Sequence, residues 1–268
     1  NNAHIEIVDR WTEGWGHINV DQILFSDKPA KPATNPALWA DYGRDFYAAV
    51  SWSDVPKEDG RRVWLGWMSN WQYAQDIPTS PWRSGMTVAR TLSLRKVGDA
   101  YRLLQKPSRE LEQIRAAGQV AENVSLADAV ILLNKAESEL LDVELTVPAG
   151  APFELSLIKP ESGVAPILVD TEKGTLSFDR TKFGDTGFHG EFPGIHSSPL
   201  RAVDGKVTLR LLIDVASIEI FANGGESVIS DLVFPKLGPW QFGFSYKGEG
   251  APPKVERIAV YPLRSTWP

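Results

Sequence analysis

Six of the ten tryptophans in this 268-residue chain, Trp39, Trp52, Trp64, Trp67, Trp71 and Trp82, fall between Leu38 and Arg83. Trp is seldom completely buried and its indole N–H wants a partner, so so dense a cluster points to a surface on which something stacks. Sugar rings, with apolar C–H faces and hydroxyl edges, suit such a surface. The same stretch carries Asp41, Asp45, Asp54 and Asp76. Two neighbouring carboxyls, one with a raised pKa, are what general acid–base chemistry needs. Each aspartate also has a plainer reading. Asp54 precedes Val55–Pro56 and shapes a turn, and Asp41 stands two residues before Gly43, where an Asx-turn fits. Asp45 beside Arg44 reads as a surface ion pair, worth about 0–1 kcal/mol. Trp52, Trp64 and Trp67 read as core, the last on an alternating buried face.

Other chemistries find less support. The chain has no cysteine, which excludes disulfides, thiol catalysis and Cys-ligated metals. His4, His17, His189 and His196 show no metal-ligand spacing, so no metal is expected and structural roles are assigned to them. Asp179–Arg180 reads as a loop brace. Gly224–Gly225 reads as a hairpin turn and not a phosphate loop, because no helix follows. A net charge of −6 and a pI near 5.3 argue against nucleic acid as a partner. No apolar run approaches the ~18 residues of a membrane span, so no membrane partner is expected. The chain opens at Asn1 without Met or a signal peptide, which suggests a processed chain or a fragment. The lack of cysteine is compatible with export, and an extracellular or periplasmic location is expected.

The elements that would position the tryptophans are strands. Residues 46–53 and 61–68 alternate on either side of the turn-prone PKEDG, a hairpin with Val63, Leu65 and Trp67 on its apolar face. A second pair, 86–94 and 99–104, turns at Val97–Gly98. Four strands in about sixty residues is the cadence of one propeller blade or part of a barrel. Upstream, 3–9 and 17–25 alternate as strands, and the proline-rich 28–36 reads as a linker. Downstream, 108–116 is the helical candidate, with Ser108 as N-cap and Leu111 and Ile114 on one face. Short β runs follow at 128–133, 139–147, 153–159, 165–170, 175–179, 206–214, 217–222, 227–234, 240–246 and 254–261. Near-continuous apolar runs beside clean alternation fit a β-sandwich.

DYGRDFYAAVSW, GRRVWLGWMSNWQYA and IPTSPWRSGMTVARTLSL closely resemble the last propeller blades of glycoside hydrolase family 32, the family of invertase, exo-inulinase and levanase. LSFDRTKFGDTGFHGEFPGIHSSPL (176–200) and LRLLIDVASIEIFANGGESVISDLVFP (209–235) are similar to its C-terminal β-sandwich. The resemblance runs from about Trp39 to Tyr261. It implies an all-β chain, the terminal part of a five-bladed β-propeller followed by a β-sandwich, with residues 28–118 as blade and connector and 119–268 as sandwich. It also implies hydrolysis of β-fructofuranosidic bonds in fructan or sucrose, with retention and without a cofactor. Trp71 matches the indole that walls the fructose pocket, and Asp41 the aspartate that recognises substrate at the funnel rim. Tyr47, Asn70, Gln72 and Tyr73 are its hydrogen-bonding neighbours. The family's nucleophile, Arg-Asp-Pro and Glu-Cys motifs do not occur in this sequence, so none of its residues is expected to be catalytic. Residues 1–27 do not resemble the early blades and form a β segment of uncertain origin. Self-association or a separate N-terminal polypeptide would cover the open sheet edges of an incomplete propeller. The alternative is a catalytically inactive carbohydrate-binding or structural module.

Overall fold

Alternation in the sequence becomes a four-stranded antiparallel meander followed by two packed sheets. The computed structural model describes residues 6–8, 10, 27, 38–83, 85–150 and 152–266. The chain divides into two units, Asn1–Leu38 and Trp39–Pro268. The strands expected at 3–9 and 17–25 and the linker at 28–36 lie outside the described residues, save for 6–8, which are exposed and belong to no element. Everything that follows concerns the second unit.

The meander runs β1 (Tyr47–Ser51), β2 (Arg62–Trp67), β3 (Arg90–Val97) and β4 (Ala100–Pro107), each strand beside the next. The β1–β2 register slips between Tyr47 and Val50. Ala48 takes φ 48° there, a bulge of the kind that re-aims a neighbouring side chain. On β2, Val63 is buried while Trp64 and Trp67 are half-buried, and Trp52 is 47% exposed. The expected core role of these three indoles is therefore met only in part. Gly66 leaves room for the Phe46 ring, which a Cβ would meet at 2.7 Å. The β3–β4 hairpin turns at Gly98, with Val97 opposite Ala100.

The expected helix at 108–116 is a short 3-10 helix, Arg109–Ile114, and the Ser108 hydroxyl does not cap it. That hydroxyl faces Thr91 at 3.2 Å instead. After β5 (Gln119–Val124), the run expected to be a strand at 128–133 is an α-helix, α1 (Leu126–Asn134). Ser125 accepts the Asp128 backbone N–H at 3.1 Å and donates to the Asp128 carboxylate at 2.7 Å, an N-cap that outweighs the β-like run of Val130–Leu133. Ala129 and Leu133, four residues apart, are its buried positions.

The sandwich pairs a six-stranded sheet with a five-stranded one. The first has the order β13 (Ser227–Leu232), β12 (Ser217–Ala222), β11 (Lys206–Ile213), β6 (Leu141–Pro148), β15 (Val255–Pro262), β5. The second has β10 (Ile195–Pro199), β9 (Thr175–Asp179), β8 (Gly163–Asp170), β7 (Phe153–Lys159), β14 (Gln241–Tyr246). Leu141, Val143, Leu145 and Val147 of β6 and Phe153, Leu155 and Leu157 of β7 supply every second residue to one core between the sheets. β12 is buried on both faces. Ile218, Ile220 and Ala222 enter that core, whereas Phe221 joins Leu212 and Val228 in a second cluster that reaches Val88 and Leu111 on the meander side. Backbone bonds complete the docking, Tyr42 N–H to Val228 O at 2.8 Å and Gln105 N–H to Gly225 O at 3.0 Å.

Candidate functional site

Tyr47 at the start of β1, Trp67 at the end of β2 and Trp71 in the turn beyond it form a row of rings. Trp67 lies 6.1 Å from Tyr47 and 5.0 Å from Trp71, with interplanar angles of 74° and 61°. Trp71 is 69% exposed and Tyr47 48% exposed. The turn that displays Trp71 closes on itself: Asn70 Oδ1 accepts the Gln72 N–H at 3.0 Å and Asn70 O accepts the Ala74 N–H at 3.1 Å. Gln72 Oε1 accepts a hydrogen bond from the Arg44 guanidinium, which in turn stands 3.9 Å from Glu191 on a sandwich loop. The structure thus brings Tyr47, Asn70, Trp71 and Gln72 to one exposed rim, with an aromatic face and amide and guanidinium groups beside it. That is the mixture that binds a sugar, stacking on its C–H face and bonding its hydroxyls.

Asp41 is placed elsewhere. Its side chain is 1% exposed and its carboxylate accepts from Arg90 at 2.9 Å, the Ser230 hydroxyl at 2.7 Å, the Ser230 N–H at 2.9 Å and the Gly43 N–H at 2.9 Å. The Asx-turn exists, but substrate contact is corrected: every acceptor direction of this carboxylate is already taken inside the protein. Arg90, fully buried between the Phe46 and Phe221 rings, also donates to Glu219 at 2.8 Å and Gln105 at 3.1 Å. Burial pushes the Glu219 carboxyl up, against the pull of Arg90.

Asp45 is likewise no surface partner of Arg44. It is fully buried, and its Oδ2 accepts from Arg180 at 2.6 Å and the Leu232 N–H at 2.8 Å. Its Oδ1 accepts from the Tyr73 hydroxyl at 2.6 Å and the Asn70 amide at 3.1 Å. Arg180 braces its loop as expected, its Nε donating to Phe192 O at 2.9 Å, but it is also wholly buried, 4.0 Å from the Phe192 ring, and donates to the Tyr73 oxygen at 2.8 Å. Tyr73 is therefore an internal strut and not a surface neighbour of Trp71. Asp231 stands 3.6 Å from Arg180 and 2.7 Å from His196 Nδ1, a carboxylate–histidine pair that the sequence did not reveal. Burial and the nearby Asp231 charge push the Asp45 carboxyl up despite Arg180. Burial acts on Asp231 too, yet Arg180 and His196 hold it below its ordinary value. Burial, with the Asp45 charge, pushes the Tyr73 phenol up and keeps it neutral.

Arg90, Glu219, Ser230 and Asp231 are the residues that sequence reasoning passed over, and Arg180 was read only as a loop brace. Their signal was present: a Glu in the middle of SIEIFA and a Ser-Asp pair inside SVISDLVF are charges at positions that should be buried. Buried charges need partners from elsewhere in the chain. Asp54 remains at the surface, bonded to Ser53 at 3.0 Å, and Asp76 is 57% exposed at 4.0 Å from His189.

A meander blade locked by buried Arg–carboxylate nodes onto a two-sheet sandwich defines the class: an all-β chain of propeller blade and β-sandwich. Residues 14–107 match the N-terminal domain of glycosyl hydrolases family 32 and residues 110–262 its C-terminal domain, and the chain belongs to that family. The N-terminal match begins inside the segment that the sequence set apart as 1–27. Among curated relatives, the levanase of Bacillus subtilis (strain 168) is 38% identical over 239 residues, covering 87% of this chain and 35% of the levanase. An extracellular exo-inulinase of Aspergillus niger is 30% identical over 243 residues, covering 88% of this chain and 44% of the inulinase. The crystal structure of exo-inulinase from Aspergillus awamori superposes with a TM-score of 0.74 at 27% identity, over 88% of this chain and 46% of that one. The chain thus spans less than half the length of these relatives.

Proposed function

We propose that this chain is the C-terminal part of a retaining β-fructofuranosidase acting on fructan or sucrose, and that its share of the work is to form one wall of the fructose pocket. In such a reaction a carboxylate attacks the anomeric carbon while a second carboxyl protonates the leaving oxygen and then activates water. Family membership and relatives named levanase and exo-inulinase support the reaction class. The observation that carries the chain's own role is the exposed Tyr47–Trp67–Trp71 row with Asn70, Gln72 and Arg44 at its edge. Trp71 stacks on the sugar, Tyr47 and Gln72 bond its hydroxyls, and Asn70, whose amide bonds Arg44 O, Asp45 and the Gln72 N–H, holds the turn beneath them. Asp41 acts from behind, by fixing the blade. The catalytic carboxylates come from further polypeptide, which also covers apolar residues now open on the blade, Val50, Met86, Leu94 and Tyr101. A second copy of the chain could cover the same residues. The name of the extracellular inulinase supports action outside the cytoplasm, in the medium or periplasm.

The test uses the purified chain with its intact mass verified. Fructose or an inulin oligosaccharide is expected to quench tryptophan fluorescence, and Trp71→Ala to abolish the quenching, with no fructose released from sucrose, inulin or levan. Release of fructose by the chain alone would overturn the division of labour. Quenching that survives Trp71→Ala would overturn the pocket wall. Neither quenching nor turnover would leave a structural module.

A further inference from the structure

Trp71 is the most exposed ring of the row, at 69%, and among the described residues the ring it meets is that of Trp67, edge-on at 5.0 Å. The backbone of its turn therefore sets much of its pose. Asn70, immediately before it, and Tyr73, two residues after it, both bond the same oxygen of buried Asp45, at 3.1 and 2.6 Å. The other oxygen of Asp45 is held by Arg180 at 2.6 Å, and Arg180 also grips the Tyr73 hydroxyl at 2.8 Å. Arg180 lies in the loop after β9 of the sandwich, so the sandwich reaches through two buried bonds to the turn that displays the indole. An aromatic wall has to sit within about 0.5 Å of its working position to be effective.

We propose that Arg180 is a positioning residue through which the β-sandwich sets the pose of Trp71, acting by way of Asp45 on the Asn70–Tyr73 turn. The fork of the guanidinium is what the job requires. It donates one Nη to Asp45 and the other to Tyr73, and a lysine ammonium keeps the charge without the paired geometry. The sandwich is then part of the sugar site without touching sugar. The importance of that pose for binding rests on the pocket-wall reading, whereas the control of the pose does not.

The experiment uses the full chain labelled with 5-fluorotryptophan, with the Trp71 fluorine resonance identified by its loss in Trp71→Phe. Arg180→Lys is expected to shift or broaden the Trp71 resonance in the absence of sugar, while the resonance of buried Trp240 keeps its position and reports an intact sandwich. Affinity for fructose or an inulin oligosaccharide is expected to fall about fivefold to tenfold, the scale of one ordinary hydrogen bond. Leu157→Ala, a core truncation in the sandwich, is the control: it should lower the melting temperature and leave the Trp71 resonance alone. Should Arg180→Lys fail to fold, Tyr73→Phe removes the hydroxyl shared by Arg180 and Asp45 and is expected to move the same resonance. An unmoved Trp71 resonance in the folded variants, or an equal movement in Leu157→Ala, overturns the proposal. If the unmutated chain binds no sugar, the pocket-wall reading falls, and the sugar-free resonance still decides whether Arg180 positions Trp71.

Discussion

Arg90 is one positive charge facing two carboxylates, Asp41 and Glu219, in a space closed by Phe46 and Phe221. A buried ion pair need not stabilise against an apolar replacement, but removal of one partner strands the other charge in a low dielectric. Arg90→Ala leaves both carboxylates without their cation, and urea unfolding is expected to show a loss of about 3–5 kcal/mol. Asp41→Asn keeps an acceptor for Ser230 and Gly43 and should cost less, about 1–2 kcal/mol. Equal losses in the two variants would show that charge is not what matters at this node. A second cluster, at the surface, responds to acid. Hydrogen bonds from Arg61 hold the Asp59 carboxyl at about 2, below its ordinary 3.8, and the Glu110 carboxyl at about 2, below 4.5. Depressed folded values mean that the unfolded chain binds these protons first. Their contribution is therefore complete above the ordinary values and is lost as pH falls toward 2. Protection factors of the amides in Arg109–Ile114, corrected for the intrinsic pH dependence of exchange, are expected to fall across that window, and factors that are flat between pH 4.5 and 2 would contradict the Arg61 clasp.

At the scale of elements, β12 and β13 explain both what could be read from the sequence and what could not. The meander was legible because RRVWLGWM and its partners alternate and because Gly60 and Gly98 mark the turns. The sandwich was legible from repeated short apolar runs. The helix Leu126–Asn134 was not, since Val130–Leu133 reads as strand unless Ser125 and Asp128 are recognised as a cap. Of the candidate rim, Tyr47, Asn70, Trp71 and Gln72 were named through family resemblance, and their part in sugar binding remains a proposal. The reassignment of Asp41 and Asp45 was not, because their partners Arg90 and Arg180 lie 49 and 135 residues away along the chain. No local spacing encodes such a pairing. Gly225, read from sequence as a mere hairpin turn, is where the β12–β13 hairpin touches β4: it has φ 84°, and a Cβ there would stand 1.8 Å from the Gln105 carbonyl oxygen. Gly225→Ala must therefore move backbone against backbone. The expected loss is roughly 2–4 kcal/mol, read as a drop in urea midpoint. A loss under half of that would mean that the contact with β4 adjusts at little cost.

For the molecule as a whole, the sandwich closes its own core, whereas the blade buries apolar surface where it meets β12 and β13 and where Met68, Tyr73 and Ile77 meet Phe188, Phe192 and Phe234 of the sandwich loops. One four-stranded meander without a covered face is marginal on its own. The blade should then be folded only while docked, and the Arg90 and Arg180 nodes, each satisfied from both sides, couple the two. The fluorotryptophan chain can separate them, because Trp52, Trp64, Trp67, Trp71 and Trp82 report on the blade region and Trp240 on the sandwich. In the unmutated chain all these native resonances are expected to vanish together as urea rises. Arg90→Ala should part them, with the blade resonances lost at lower urea while the buried Trp240 resonance persists. If the two groups remain coincident in Arg90→Ala, the apolar contacts of Phe221, Val228 and Leu212 with Val88 and Leu111 are sufficient to make blade and sandwich one cooperative unit. If they are already separate in the unmutated chain, the buried ion pairs align the domains without uniting their stability. Only the first pattern, coincidence that a single buried arginine breaks, assigns the coupling of blade to sandwich to the charges and not to the apolar seam around them.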